Sequence, residues 1–185
     1  MARTENQETP DSHDLGKLTK WHDGLASATR PVFPVCALFL AGGGDIRAHN
    51  IFRVYRTAFE ELDARFHDLV IFGQHGLSNT CAALISGLGL SNVQIPSLVL
   101  ISSEDGIVFH TTGLPTGELT EGESEEDGSG VPWRAALDTI KNTSEEKSTF
   151  SLDGISGLER VEFYGGTLLE TLGIVKKRVE ETTSA

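Results

Sequence analysis

The residues best suited to chemistry follow the first long apolar run of the chain. Three glycines, Gly42–Gly44, come directly after that run and precede Asp45, Arg47 and His49, while His75 follows the next apolar run. A carboxylate and an imidazole can act together as an acid/base pair near neutral pH, because histidine titrates at about 6.5. Asp45, His49 and His75 are therefore candidate catalytic residues. The alternative is that they are solvated surface side chains.

The glycine run also suits binding without catalysis. Glycine allows the backbone to approach a ligand closely, and the free N–H groups at a helix start attract anions. The run lacks the Lys-Ser/Thr ending of a P-loop and the spacing of a dinucleotide fingerprint, so we expect no nucleotide and no other cofactor. Gly42, Gly43, Gly44, Asp45 and Arg47 are candidate ligand-binding residues. A simpler role for Asp45 is that of helix N-cap.

The chain has only two cysteines, Cys36 and Cys81. Two cysteines cannot form a disulfide framework, and a zinc site would need further ligands at close spacing. We expect both to be buried as small hydrophobic side chains, with no metal bound.

The net charge and the length of the apolar runs indicate which classes of partner and which cellular compartment to expect. The 27 acidic residues outnumber the 15 basic ones and leave a formal net charge of −12, which opposes binding to nucleic acid. The apolar runs are far shorter than the roughly 20 residues needed to cross a bilayer, and residues 1–14 are polar. We therefore expect a cytoplasmic protein that does not associate with membranes.

Hydrophobic periodicity predicts alternating strands and helices, and so an α/β fold with a central mixed sheet flanked by helices. An Asp-Gly turn predicts that the third and fourth strands form an antiparallel hairpin. The expected strands are 35–40, 69–72, 97–101, 107–110 and 161–164. The expected helices are 15–28, 47–66, one from Ser78 or Asn79 to Gly87 or Gly89, 132–142 and 167–181.

The same patterns suggest how the chain is organised. Residues 1–14 lack periodic apolar positions and should be disordered, and residues 15–146 should form the main domain. Residues 116–130 carry six acids and four glycines, which is typical of a solvated acidic loop. Residues 147–185 should form a C-terminal extension.

The segment Leu90–Ile101 resembles the thioredoxin superfamily segment in which Ile-Pro-Thr leads into a strand. The resemblance covers roughly residues 31–142 and includes the order of elements and the glycines that close the next turn and strand, Gly106 and Gly113. In that superfamily the proline is cis, and Pro96 is its counterpart. The resemblance implies a thioredoxin-like three-layer fold and adds Ile95 and Pro96 to the candidate ligand-binding residues.

The resemblance also implies that the redox chemistry has been lost. Thioredoxins place Trp-Cys-x-x-Cys at the start of the long helix, whereas here Phe39-Leu40-Ala41 leads into glycines, and Gly44 and Arg47 take the two cysteine positions. Residues 70–73 and 88–90 look like the peroxiredoxin-like branch, which also needs a cysteine at this junction. We therefore expect no dithiol oxidoreductase activity and regard a peroxiredoxin-like protein as the less favoured alternative.

Two kinds of function remain open. The leading hypothesis is a redox-inactive binding, chaperone or scaffold module that holds a protein or peptide partner in the groove beside Pro96. The alternative is a small non-redox enzyme, an isomerase or cyclase, acting on a small organic ligand in the same cleft. A homodimer is also possible.

Overall fold

The computed structural model describes residues 9–28, 35–102, 107–118, 121, 131–146, 151–163 and 165–183. The strands are β1 Cys36–Leu40, β2 Leu69–Phe72, β3 Ser97–Ser102, β4 Ile107–Gly113 and β5 Glu159–Phe163. The helices are α1 Pro10–Ser27, α2 Ile46–Glu61, α3 Asn79–Gly87, α4 Pro132–Glu146 and α5 Leu168–Thr183, and a 3₁₀ turn at Phe66–Asp68 precedes β2.

The strands form one sheet in the order β2-β1-β3-β4-β5. β1 and β2 are parallel, whereas β1 with β3, β3 with β4, and β4 with β5 are antiparallel. The predicted α/β class with a mixed sheet and the predicted antiparallel pairing of the third and fourth strands are confirmed.

Helices cover both faces of the sheet, because its central strands are apolar on both faces. Ala37 and Phe39 of β1 belong to the hydrophobic core shared with α2 and α4. Cys36, Leu38 and Leu40 belong to the opposite core, shared with α1, α3 and α5. The continuous apolar run of β1 is thus explained by burial on both sides.

Helix α1 completes the open edge of β2. Side chains three or four positions apart on one face of α1 bond to backbone groups along this edge: Asp14 accepts from Gly73 N at 3.1 Å, Lys17 donates to Ile71 O at 2.9 Å and Trp21 donates to His67 O at 3.1 Å. An edge strand otherwise presents unpaired groups that recruit other strands. Polar side chains of α1 therefore protect this edge of the sheet.

Two predicted helix boundaries are wrong by five residues, and α4 also runs to Glu146 rather than ending at residue 142. Helix α1 begins at Pro10 rather than residue 15, because Thr9 accepts from Ser12 N as a cap and Pro10 suits the first turn. Residues 10–14 are therefore ordered within α1, and residues 1–8 lie outside the described residues. Helix α2 ends at Glu61 rather than 66, because the chain turns at Asp63, whose φ is 61°.

Strand β5 and helix α5 share the core of the elements that precede them. β5 pairs with β4, and α5 packs against α1 and α3. Leu172, Val175 and Val179 are buried with the side chains of α1 and α3. Their contribution depends on long-range contacts, which hydrophobic periodicity within the segment does not reveal.

The predicted acidic loop lies mostly outside the described residues, which include only Thr116–Glu118 and Glu121 of it. Within the described residues, the search for a helix with the length and hydropathy of a membrane span finds none.

Candidate functional site

The glycine turn between β1 and α2 is held by two of the candidate catalytic side chains. The Asp45 carboxylate accepts a hydrogen bond from Gly42 N at 2.7 Å. The Nε2 atom of His49 lies 3.1 Å from Gly42 O, and it must carry the proton because a carbonyl oxygen only accepts. Both sides of Gly42 are therefore fixed by side chains of the next nine residues.

These bonds limit what Asp45 and His49 can do chemically. Asp45 occupies the N-cap position of α2, but its side chain makes no capping bond there, because it turns back to Gly42. The Nε2–H of His49 is engaged by Gly42 O, which leaves only Nδ1 as an acceptor. The arrangement stabilises a turn and offers little to an acid/base reaction.

The next two residues of the turn, Gly43 and Gly44, also carry backbone N–H donors. The N–H groups of Gly43 and Gly44 have no hydrogen-bond partner among the described residues. A β-carbon on Gly43 would lie 3.4 Å from Gly76 N, so the turn packs against the loop after β2. A β-carbon on Gly44 would meet nothing within 4 Å, so this side of the turn faces open space.

The Ile95-Pro96 segment lies beside the glycine turn because of the strand register. Ser97 pairs with Leu40, so Pro96 comes level with the residues that begin the turn. The Ile95-Pro96 bond is cis, which confirms the prediction for this bond. Pro96 O accepts from Leu114 N at 3.0 Å, whereas the N–H and C=O of Ile95 have no partner in the described part of the chain.

Two exposed aliphatic side chains flank these backbone groups. Ile46, in the first turn of α2, and Leu77, in the loop that packs against Gly43, are each 68% exposed. Such side chains are normally buried unless they contact a partner, although single exposed ones also occur on ordinary surfaces. We call residues 42–47, Leu77 and Ile95-Pro96 together the Pro96 face.

The remaining candidates are placed differently. The His75 ring lies edge-on to the ring of His13, with the ring centroids 4.2 Å apart. His75 therefore contacts α1. Arg47 is half-buried in the first turn of α2. The structure therefore brings Asp45 and His49 together at Gly42, and places His75 in the neighbouring loop.

Both cysteines are free, and both are buried as the sequence predicts. Cys36 donates to His67 O at 3.1 Å. Burial raises the pKa of the Cys36 thiol, and the nearby Asp68 charge adds to the rise. Burial, assisted by the Asp14 charge, raises the pKa of Cys81 to about 12. Thiolates are the reactive form, so neither residue is suited to redox chemistry at neutral pH.

A second polar cluster, not predicted from the sequence, joins one residue of β4, one of β5 and one of the segment before β5. The His110 side chain is buried, and its Nε2 lies 2.9 Å from Asp153, which also accepts from Arg160 at 2.8 Å. The hydrogen bonds from His110 and Arg160 lower the pKa of Asp153. The cluster ties the segment before β5 to the sheet. His110 is more than 40 residues from Asp153 and Arg160 in the chain, so no local pattern indicates the cluster.

Within the described residues, no group of three His, Cys, Asp or Glu side chains has the geometry of a metal site. Comparison with protein-family models, curated protein sequences and solved structures finds no match to this chain.

Proposed function

We propose that this chain is a redox-inactive thioredoxin-like protein that binds an extended peptide segment of a protein partner at the Pro96 face. The strand order and directions of β1 to β4 support the thioredoxin-like assignment. So does the position of Pro96, immediately before β3 and level with the β1–α2 turn. This is where the superfamily resemblance puts a substrate groove.

The observation that carries the proposal is that the backbone N–H and C=O of Ile95 are unpaired within the part of the chain that the structure describes. An extended peptide binds by pairing its main chain with free N–H and C=O groups, and pockets or apolar side chains then select its residues. Ile95 offers one donor and one acceptor, and Gly43 and Gly44 offer two more donors. Exposed Ile46 and Leu77 provide apolar contacts on the same face.

The cysteines support a binding role over a redox role. Gly44 and Arg47 stand where the superfamily has its thiols, and the two cysteines of the chain are buried with raised pKa values. The isomerase or cyclase alternative loses support because Asp45 and His49 are engaged by Gly42.

The test uses a side chain that blocks the face without disturbing the core. Peptides are selected from a random displayed library against the wild-type protein, and their Kd values are measured by fluorescence anisotropy. Gly44→Phe should weaken binding by about tenfold or more, or about 1.4 kcal/mol, because its ring projects into the open space beside the turn.

The matched control is Gly16→Phe, on the exposed side of α1, where a β-carbon also meets nothing within 4 Å. It should bind the same peptides as tightly as the wild type. Equal Kd values for wild type and Gly44→Phe would refute the Pro96 face as the binding site.

A further inference from the structure

A cavity of about 450 Å³ lies at the open edge of the sheet, between α1 and α2 and beside β2. Its size falls in the range of sites that hold small organic ligands. Gln74, in the loop after β2, is part of its wall, but the wall does not include the Pro96 face. The cavity is therefore a separate feature that the proposed peptide site does not use.

The charge of this cavity is opposite to that of the whole chain. Four of the 15 basic residues line it, Lys17, Lys20, Arg56 and Arg65, against one of the 27 acidic residues, Glu60. The lining thus carries a formal charge of +3, from four positive and one negative side chain, in a chain of net charge −12. A positively lined concavity attracts and retains anions.

Three of these cations are not neutralised by an ion pair in the described residues. Lys17 Nζ bonds to the neutral oxygens Ile71 O, at 2.9 Å, and Gln74 Oε1, at 3.0 Å. Lys20 Nζ lies over the Phe66 ring, and the guanidinium of Arg65 has no acidic partner. Arg56 is the exception, since its Nε is 3.0 Å from Glu60. The cavity therefore keeps unpaired positive charge.

Aromatic rings supply the apolar part of the same wall. Phe52 on α2 is half-buried and Phe66, which is 37% exposed, begins the 3₁₀ turn, whereas Phe59 on α2 is only 1% exposed. Aromatic side chains contribute large apolar area and favour offset or edge contacts with another ring. The lining thus combines cations that suit a carboxylate with rings that suit an aromatic body.

We propose that this cavity binds a small aromatic carboxylic acid, with its carboxylate among Lys17, Lys20 and Arg65 and its ring against Phe52 and Phe66. Burial lowers the pKa of Lys17, and the charge of nearby Asp14 only partly offsets this fall. A bound carboxylate would further stabilise the charged form of Lys17.

The test titrates the full-length protein with 1-naphthoate by isothermal calorimetry. The uncharged 1-naphthalenemethanol and the ring-free acetate serve as probe controls. Naphthoate should bind measurably. The alcohol and acetate should each bind at least about tenfold more weakly, because the alcohol lacks the carboxylate and acetate lacks the aromatic ring. Affinity should also fall as salt is added.

Arg65→Glu is the informative variant, because its side chain is exposed and should not be needed for folding. Naphthoate binding should weaken by about tenfold. Arg53→Glu, the same charge reversal on α2 outside the cavity lining, should leave it unchanged. Equal binding of naphthoate and the alcohol, equal loss in both variants, or no binding by the wild type would overturn the proposal.

Discussion

Gly73 has a φ of 80°, and a β-carbon there would lie 2.2 Å from Ala41 O. The residue joins β2 to the loop that packs against the glycine turn, so the close approach of the two loops depends on it. A single methyl group added at Gly73 should therefore disturb the Pro96 face, although Gly73 is not part of that face.

We expect Gly73→Ala to destabilise the fold by about 2 kcal/mol or more, because it adds left-handed strain and a clash with a backbone oxygen. Gly154→Ala separates the two effects, since Gly154 has a φ of 89° but open space around it. It should cost about 1 kcal/mol. Urea denaturation of both variants measures the difference, and equal costs would mean that the contact with Ala41 is not restrictive.

The thiols make stability sensitive to alkaline pH. Their folded pKa values are raised by burial above the ordinary value of 9.0, so the unfolded state releases its thiol protons first as the pH rises. The stabilisation that comes from keeping the thiols protonated is fully present below pH 9.0. For Cys81 it is lost as the pH approaches about 12. Each thiol should lower the free energy of unfolding by about 1.4 kcal/mol per pH unit in that window.

Denaturant titrations at pH 8 to 11 check this dependence. The variant Cys81→Ala should show a shallower decline with pH than the wild type, even if it is less stable throughout. An unchanged slope in Cys81→Ala would show that the Cys81 thiol already ionises freely in the folded protein.

Among the elements, α1 has a role that its sequence pattern does not reveal. Its apolar positions pack in the core, while its polar side chains close the β2 edge and form part of the basic cavity. Asp14 is 1% exposed and accepts from both Gly73 N and Ser78 Oγ. Through Ser78, which caps α3, Asp14 connects α1, β2 and α3.

Asp14→Ala should therefore destabilise the protein by about 3 kcal/mol, because two buried donors lose a charged acceptor. Asp14→Asn keeps an acceptor and should cost less. Asp11→Ala is the matched comparison, since Asp11 accepts from Asn79 N at 2.5 Å in an exposed setting, and should cost about 1 kcal/mol. Thermal or urea unfolding measures all three; an Asp14→Ala cost no greater than that of Asp11→Ala would contradict this role.

At the scale of the whole molecule, the sequence predicts those elements whose marking residues lie within the element or directly beside it. β2 and α3 match the expected bounds because an apolar run and a capping serine mark them. The inclusion of β5 and α5 in the core could not be predicted, because it depends on pairing with β4 and packing on α1 and α3.

The same distinction applies to the candidate sites. The proximity of Ile95-Pro96 to the glycine turn is expected only from the superfamily resemblance, because it depends on the long-range pairing of β1 with β3. The Asp45 carboxylate accepts from Gly42 N rather than capping α2, and no residue pattern specifies which of these bonds it makes. The basic cavity unites α1 and α2 residues some 40 positions apart, although the sequence shows only scattered lysines and arginines.

We propose that the backbone groups of Ile95, Gly43 and Gly44, which are unpaired among the described residues, pair with an extended peptide. Amide hydrogen exchange, read residue by residue by NMR with and without a selected peptide, tests this most directly. We predict that the amides of Ile95, Gly43 and Gly44 become protected on binding, while that of Gly73, already bonded to Asp14, does not change. Protection confined to other residues, with these three amides still exchanging freely, would contradict the account.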